Sequence, residues 1–410
     1  MRTALNNPFQ PGSDVVPEIW AGRTAQLSDW RDVLRPRLEA GLFERGRTIL
    51  GEPGLGKSSL VRRIANEAER QGDWVTPQIR IAVGSDPIKR LAAELLVIAD
   101  KAGLSTGRET RLTRLLQRVE SIAINGVSLA LSPSEGQEPH SALTEMLVEI
   151  GRVAIGRGTV VLIHIDEIQN IDDERTLSQL LIALGDAITR IVEVDVPGVG
   201  RLERSLPIAV YLTGLPEFDE ASGARKGATF TRRFATTVLA PLEDDDLRTA
   251  LRPLVIDGWE VADGEGGFAR IRMQSSAAEA IVDLSRGEPF LFQLAGQKAW
   301  YAGRGDVITY DEVVRGWREA QAEATSHVER ILDRLPSRER EFLEAMADLQ
   351  PSDRTLTKIA TEAGFAKSTD AGPPSQRLDR VRGIITRGKP YSFRHRALEA
   401  FLTSDWPDVE

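Results

Sequence analysis

The 410-residue chain contains no cysteine. Disulfides, thiolate nucleophiles, cysteine-ligated zinc and iron–sulfur clusters are therefore excluded. Histidine is scarce, at positions 140, 164, 327 and 395, and these four carry no metal-ligand spacing; His164, inside an apolar run, reads as a core residue. No apolar stretch approaches the roughly 18–20 residues of a membrane span. Residues 1–14 lack the basic start and apolar run of a secretory signal. Positive charge is also short: 52 basic residues face 61 acidic ones, a net charge of −9. Coating nucleic acid by bulk charge is thereby excluded, although a local basic patch is not. What remains is 41% apolar and 28% charged, an ordinary globular balance, with length for about two to four domains. The expectation is a soluble, cytoplasmic protein with no membrane partner.

Residues 1–19 are proline-rich and read as an extended arm. Leu27, Trp30, Val33, Leu34 and Leu38 then fall at helical spacing. Thr48–Leu50 suits a buried strand, residues 57–70 a helix and residues 74–83 a second strand. Asp86-Pro87 opens a helix as N-cap and first-turn pair. Further along, residues 112–119 read as a helix, 122–131 as a hairpin around Asn125-Gly126, and 143–155 as a helix. Residues 159–165 follow as a buried strand, 177–184 as a helix and 208–213 as a strand; 194–204 reads as an inserted loop. Strands alternating with helices up to about residue 241 indicate a parallel α/β sheet. From Leu242 to about residue 334 helices alone are expected. Residues 335–410 suggest three helices and a two-stranded hairpin (384–386 with 391–393), a winged helix-turn-helix pattern. The domain boundaries so drawn are an arm at 1–19, an α/β core at 20–241, a helical lid at 242–334 and a winged module at 335–410.

The chemistry concentrates in one run. Gly51, Glu52, Pro53, Gly54, Leu55, Gly56, Lys57 and Ser58 fit G-x-x-x-x-G-K-[ST] in full, followed by Ser59. Glycines let such a loop curl so that its N–H groups face phosphate oxygens, and the helix starting near Lys57 adds its positive end. Lys57 is expected to bridge the β- and γ-phosphates and Ser58 to place its hydroxyl on Mg²⁺. A second element stands where the apolar strand 160–165 delivers Asp166-Glu167. Asp166 is the expected metal carboxylate, and Glu167 the general base that polarises the attacking water. ATP with Mg²⁺ is the implied cofactor pair. Asp244-Asp245-Asp246 opens a helix and reads as a macrodipole cap rather than a metal cluster.

With these motifs in place, residues 18–405 resemble AAA+ ATPases of the branch near origin-recognition initiators and the signal-transducing ATPases with numerous domains. Trp20-Ala21-Gly22-Arg23 resembles the element that in that family lies near the adenine, with Thr24 where an acidic residue is usual. Tyr211-Leu212-Thr213-Gly214-Leu215-Pro216 is similar to the sensor-1 strand, which implies Thr213 beside the γ-phosphate. Thr231-Arg232-Arg233-Phe234 resembles the arginine-finger segment; either Arg232 or Arg233 is the candidate. Such a finger acts on a neighbouring copy, so the resemblance implies nucleotide-dependent homo-oligomers. Pro241-Leu242-Glu243 is similar to the start of the helical lid, and Gly287-Glu288-Pro289 with Gln293 to the lid motif whose proline meets the adenine. The sequence departs from initiators where they carry a sensor-2 arginine, since Phe290 stands there; Arg286 is a candidate substitute.

Residues 351–400 hold ten basic and five acidic residues, so positive charge is segregated into the C-terminal module. Arg377, Arg380 and Arg382 fall on its third helix and Arg387 and Lys389 at the wing tip, where winged helices meet a groove and its phosphates. Two functions stay open on this reading. One is a nucleotide-switched, DNA-binding ATPase of initiator or transposition-regulator type. The other is a signalling or defence ATPase whose winged helix makes protein contacts and which acts on a separate effector.

Overall fold

The computed structural model describes residues 1–12, 15–102, 139–196, 200–218, 232–262 and 267–409. The expected helix at 112–119 and hairpin at 122–131 lie outside the described residues. The chain forms two compact units. One comprises Thr24–Leu50 and Leu60–Thr237, the other Met1–Arg23, Gly51–Ser59 and Val238–Glu410.

The first unit is built on a six-stranded sheet. Its strands are β1 (Gly46–Leu50), β2 (Trp74–Val75), β3 (Ile79–Arg80), β4 (Val161–Asp166), β7 (Ile208–Gly214) and β8 (Phe234–Val238). The spatial order is β2-β4-β7-β1-β8, with β3 also paired to β4. β1 runs parallel to β7, and β4 parallel to β7, β2 and β3. Every residue of β4 and β7 is buried, as expected for central strands covered on both faces. The single strand expected at 74–83 is two short ones, because Pro77 between them has no N–H to give the ladder.

Helix α1 (Lys57–Arg70) buries Leu60, Val61, Ile64 and Ala68 at i, i+1, i+4 and i+8. Helix α2 (Pro87–Lys101) begins as read: the Asp86 carboxylate accepts the N–H groups of Ile88 (3.0 Å) and Lys89 (3.1 Å). Helices α3 (Pro139–Arg157) and α4 (Glu174–Ile188) pack on each other. The stretch read as an inserted loop at 194–204 is instead an antiparallel hairpin, β5 (Ile191–Val196) with β6 (Gly200–Ser205). Its exposed faces carry Glu193, Asp195 and Arg201 in cross-strand ion pairs, which dilute the apolar alternation that marks a strand.

In the second unit the N-terminal residues are pinned rather than loose. Arg2 is buried and donates to the carbonyls of Gly305 (2.9 Å) and Ala299 (3.2 Å) and to Glu312 (2.7 Å). The Phe9 ring meets Phe292 edge-on and covers Gly296, where a Cβ would lie 2.2 Å from it. Residues 242–334 hold helices α5 (Asp244–Ile256), α6 (Ser275–Ser285), α7 (Pro289–Tyr301) and α8 (Tyr310–Asp333). Asp244–Asp246 occupy the first turn of α5, as expected of a helix cap. The all-helical expectation needs correction here. Strands β9 (Trp259–Ala262), β10 (Phe268–Met273) and β11 (Val307–Ile308) form a small sheet in the order β11-β10-β9. Only Val261, Ile271, Met273 and Ile308 of these strands are buried, too few to register as alternation among charged neighbours.

The C-terminal residues form α9 (Ser337–Asp348), α10 (Leu356–Glu362) and α11 (Gly372–Arg380). An antiparallel ladder follows, β12 (Ile385–Thr386) with β13 (Ser392–Phe393), and then α12 (Arg396–Thr403). Phe342, Leu343, Met346, Ile359, Leu378, Ile384 and Leu398 are buried at its centre, each contributing about 1.5–3 kcal/mol.

Candidate nucleotide site

Strand β1 ends at Leu50 and α1 begins at Lys57, so the glycine-rich run is the loop between a strand and a helix. Gly54 (φ +84°) and Gly56 (φ +78°) adopt left-handed backbone that a residue with a Cβ enters at a cost of about 1–2 kcal/mol. The Lys57 ammonium donates to the carbonyls of Gly51 (2.8 Å) and Glu52 (3.1 Å), tying the loop's start to its end. A curled glycine backbone, a lysine at its mouth and a helix N-terminus suit phosphate. By donor chemistry, the Ser58 hydroxyl in this unit, and separately the Asp166 carboxylate in the other, are hard oxygens of the kind Mg²⁺ takes.

The loop is held from several sides within its unit. The Glu52 side chain turns inward, fully buried, and accepts from Arg334 Nη1 (3.0 Å) and Arg382 Nη1 (3.4 Å). Arg382 Nε donates to Glu339, which also accepts from Arg377 Nε at 2.7 Å. Gly54 abuts the His327 ring: a Cβ there would stand 2.4 Å from Cε1. His327 Nε2 is 2.5 Å from Glu288 Oε2, and its ring lies 4.8 Å from that of Phe290. The Phe290 N–H donates to the Gly54 carbonyl at 3.2 Å. His395 Nδ1 stands 3.3 Å from the other Glu288 oxygen. Burial pushes the Glu288 carboxyl up, but His395 and His327 outweigh it and hold the group below its usual range. Burial holds His395 below its ordinary value despite the pull of Glu288.

Arg23 joins the same unit through its guanidinium, which donates to the carbonyls of Ala240 (2.8 Å) and Leu55 (2.9 Å). Burial lowers it to about 10 against the opposing pull of Asp246. Pro289 opens α7, 3.7 Å from where a Gly56 Cβ would be. Arg23 (φ +61°) and Arg286 (φ +49°) both hold left-handed backbone, as does Glu167 (φ +58°) in the other unit. Three such strained positions cost of order 1–3 kcal/mol each, and strain of this kind concentrates at functional sites.

At the carboxyl ends of the parallel strands stand Asp166 and Thr213, the customary edge for ligands in open α/β sheets. The register pairs Ile165 with Leu212 and Ile49 with Thr213. Asp166 is 1% exposed. It accepts from Gln78 Nε2 (2.6 Å), from the Glu167 N–H (3.0 Å) and from the Thr213 hydroxyl. Because that hydroxyl gives its proton to Asp166, His164 Nε2 must donate to Thr213 Oγ1, 3.0 Å away. His164 is thus a core residue, as read, and it also orients Thr213. Glu167 accepts from Gln169 Nε2. Arg233 is ion-paired with Asp186, whereas Arg232 is exposed; Thr231 lies outside the described residues.

Residues 19–192 match the AAA ATPase domain family. Gly51–Ser58 and Asp166-Glu167 fall inside the matched stretch, and Thr213 and the arginine pair beyond it. No curated protein matches the sequence. The structure is similar to a Walker-type ATPase of Pyrococcus abyssi, with 16% identity, 93% of this chain and 96% of that chain covered, and a TM-score of 0.53. It is likewise similar to the ORC2 protein of Aeropyrum pernix in its ADPNP–ADP complexes, with 14% identity, 96% and 95% covered, and a TM-score of 0.52. At such identities the likeness is one of fold: α/β with a parallel sheet, consistent with a P-loop NTPase.

Among the five basic residues expected to meet DNA, Arg380, Arg387 and Lys389 are exposed. Arg377 and Arg382 turn toward Glu339 instead, and Arg382 is only 3% exposed. A buried guanidinium paired with two carboxylates is not part of a nucleic-acid surface, so Arg382 leaves that set. Gln78 and Arg334 escaped the sequence reading, His327 and His395 entered it only as histidines without ligand spacing, and Glu288 only as a letter in the lid motif. Their partners lie tens to hundreds of positions away, and no local spacing marks them.

Proposed function

We propose that the chain is an ATP-binding and hydrolysing AAA+ switch that assembles with itself when ATP-bound and meets DNA through a C-terminal winged helix. The observation that carries the ATPase reading is the complete Gly51–Ser58 loop between β1 and α1, with Asp166 and Glu167 ending a buried strand of the same sheet as β1. In this reading the loop N–H groups and Lys57 hold the phosphates, and Ser58 and Asp166 take Mg²⁺, which neutralises charge on the transferring phosphoryl group. Glu167 takes the proton of the attacking water, and Thr213 holds Asp166 in place and offers a polar contact to the terminal phosphate. Arg23 and Pro289 border the base, with Ser59 in the first turn of α1. Arg232 is the better finger candidate, since Arg233 is already engaged by Asp186.

DNA contact in this reading rests on Arg380, Arg387 and Lys389, exposed on α11 and beyond β12. A second reading, protein contacts by the C-terminal module with a separate effector, is favoured by Arg377 and Arg382 being spent on internal ion pairs. The test is two-part. Glu167→Gln is expected to keep ATP binding while turnover falls by about 10²–10⁴-fold; parental turnover refutes the base assignment. Anisotropy of labelled duplex DNA, with an ATP analogue, ADP or neither, is expected to show ATP-dependent binding that weakens with salt. No binding in any nucleotide state rejects DNA in favour of the protein-contact reading.

A further inference from the structure

A carboxylate inside a phosphate-binding loop is an electrostatic problem. Glu52 follows the first glycine of the loop, its own carbonyl receives the Lys57 ammonium, and its side chain is fully buried. Water does little to screen a buried charge, so an uncompensated Glu52 would repel an incoming triphosphate. The compensation comes from far along the chain. Arg334, just past the end of α8, and Arg382, between α11 and β12, both donate to Glu52.

We propose that Arg382, assisted by Arg334, neutralises Glu52 so that the loop accepts an anionic nucleotide, which makes Arg382 a positioning residue of the nucleotide site supplied by the C-terminal module. This rests on the reading of Gly51–Ser58 as a nucleotide loop. Arg382 is suited to the task because its side chain is 2% exposed, and its Nε is anchored by Glu339 while Nη1 reaches Glu52. Arg334 alone is a weaker neutraliser, its side chain being 27% exposed. The local set of Glu52 and Glu339 against Arg334, Arg377 and Arg382 carries one net positive charge. Removing Arg382 erases that excess and takes from Glu52 the more deeply buried of these two arginines.

The alternative role for Arg382 is a staple within the C-terminal module through Glu339, and the two roles part on rescue. The full-length chain, Arg382→Gln, Glu52→Gln and the double variant are titrated with mant-ATP and Mg²⁺. Arg382→Gln is expected to weaken binding by about tenfold, within the range of coupled sites. Glu52→Gln raises affinity, and the double variant returns to within about threefold of the parent. A staple predicts no rescue, so a double variant as weak as Arg382→Gln overturns the proposal, as does Arg382→Gln binding like the parent. Should Arg382→Gln fail to fold, Glu52→Gln alone decides: higher affinity supports the neutralisation and lower affinity overturns it. A parent that fails to bind mant-ATP refutes the nucleotide reading itself, a result distinguishable because all the chains are then silent.

Discussion

Gly54→Ala perturbs the loop at its tightest contact, and its cost follows from two separate terms. The backbone at φ +84° charges an alanine about 1–2 kcal/mol relative to glycine. The new methyl would then meet His327 Cε1 at 2.4 Å and Nε2 at 2.8 Å, well inside contact distance. The ring has little room to yield, because Glu288 bonds its Nε2 and Phe290 lies against its face. Displacing it forfeits a buried, charge-assisted hydrogen bond of about 1.5–3 kcal/mol. The sum is about 2.5–5 kcal/mol, which for a unit of this size lowers the melting temperature by roughly 5–20 °C. Thermal unfolding followed by circular dichroism reads it directly. Combining Gly54→Ala with His327→Ala should recover the clash term but not the backbone term, so the two substitutions are non-additive. A Gly54→Ala chain melting within 2 °C of the parent, or strict additivity with His327→Ala, refutes the packing of His327 on the loop.

Other perturbations have equally definite outcomes. Thr213→Val removes the hydroxyl between Asp166 and His164 and strands a buried imidazole donor, at a cost of about 1–3 kcal/mol in thermal or urea unfolding; ATP turnover should fall as Asp166 loses its tether, and an unchanged rate counts against that role. Glu288 and His395 are both held below their ordinary values. In each case the unfolded chain binds more protons as pH falls, so stability is present above the unfolded value and lost on acidification. Melting temperature should therefore decline from about pH 6.5 downward, with a shallower slope in His395→Gln; equal slopes refute the linkage. Arg387→Ala with Lys389→Ala should reduce the salt dependence of DNA binding by about one unit of slope per lost phosphate contact. A slope unchanged by both substitutions removes the hairpin tip from the interface.

The phosphate loop and Asp166-Glu167 were legible because their chemistry is contiguous: each is a short run at the end of an apolar strand, and spacing alone carries the meaning. The α2 cap was legible for the same reason, since Asp86 reaches only as far as Ile88 and Lys89. The β9–β11 sheet was hidden because its strands run from two to six residues and bury few side chains. Gln78 was hidden because its partner Asp166 is 88 positions away. Arg382 misled for a related reason. Composition placed it in a basic segment, but only the fold reveals that Glu339 and Glu52 lie within its reach.

The Glu52 pairing also imposes an order on synthesis. Arg334 is 282 positions downstream and Arg382 is 330. At about 5–20 residues per second, a ribosome delivers them roughly 15–65 s after Glu52 has been added. During that interval the chain carries the loop without Arg334 or Arg382. A nascent chain halted before residue 334 therefore holds every residue of the Gly51–Ser58 motif and neither of the arginines that pair with Glu52.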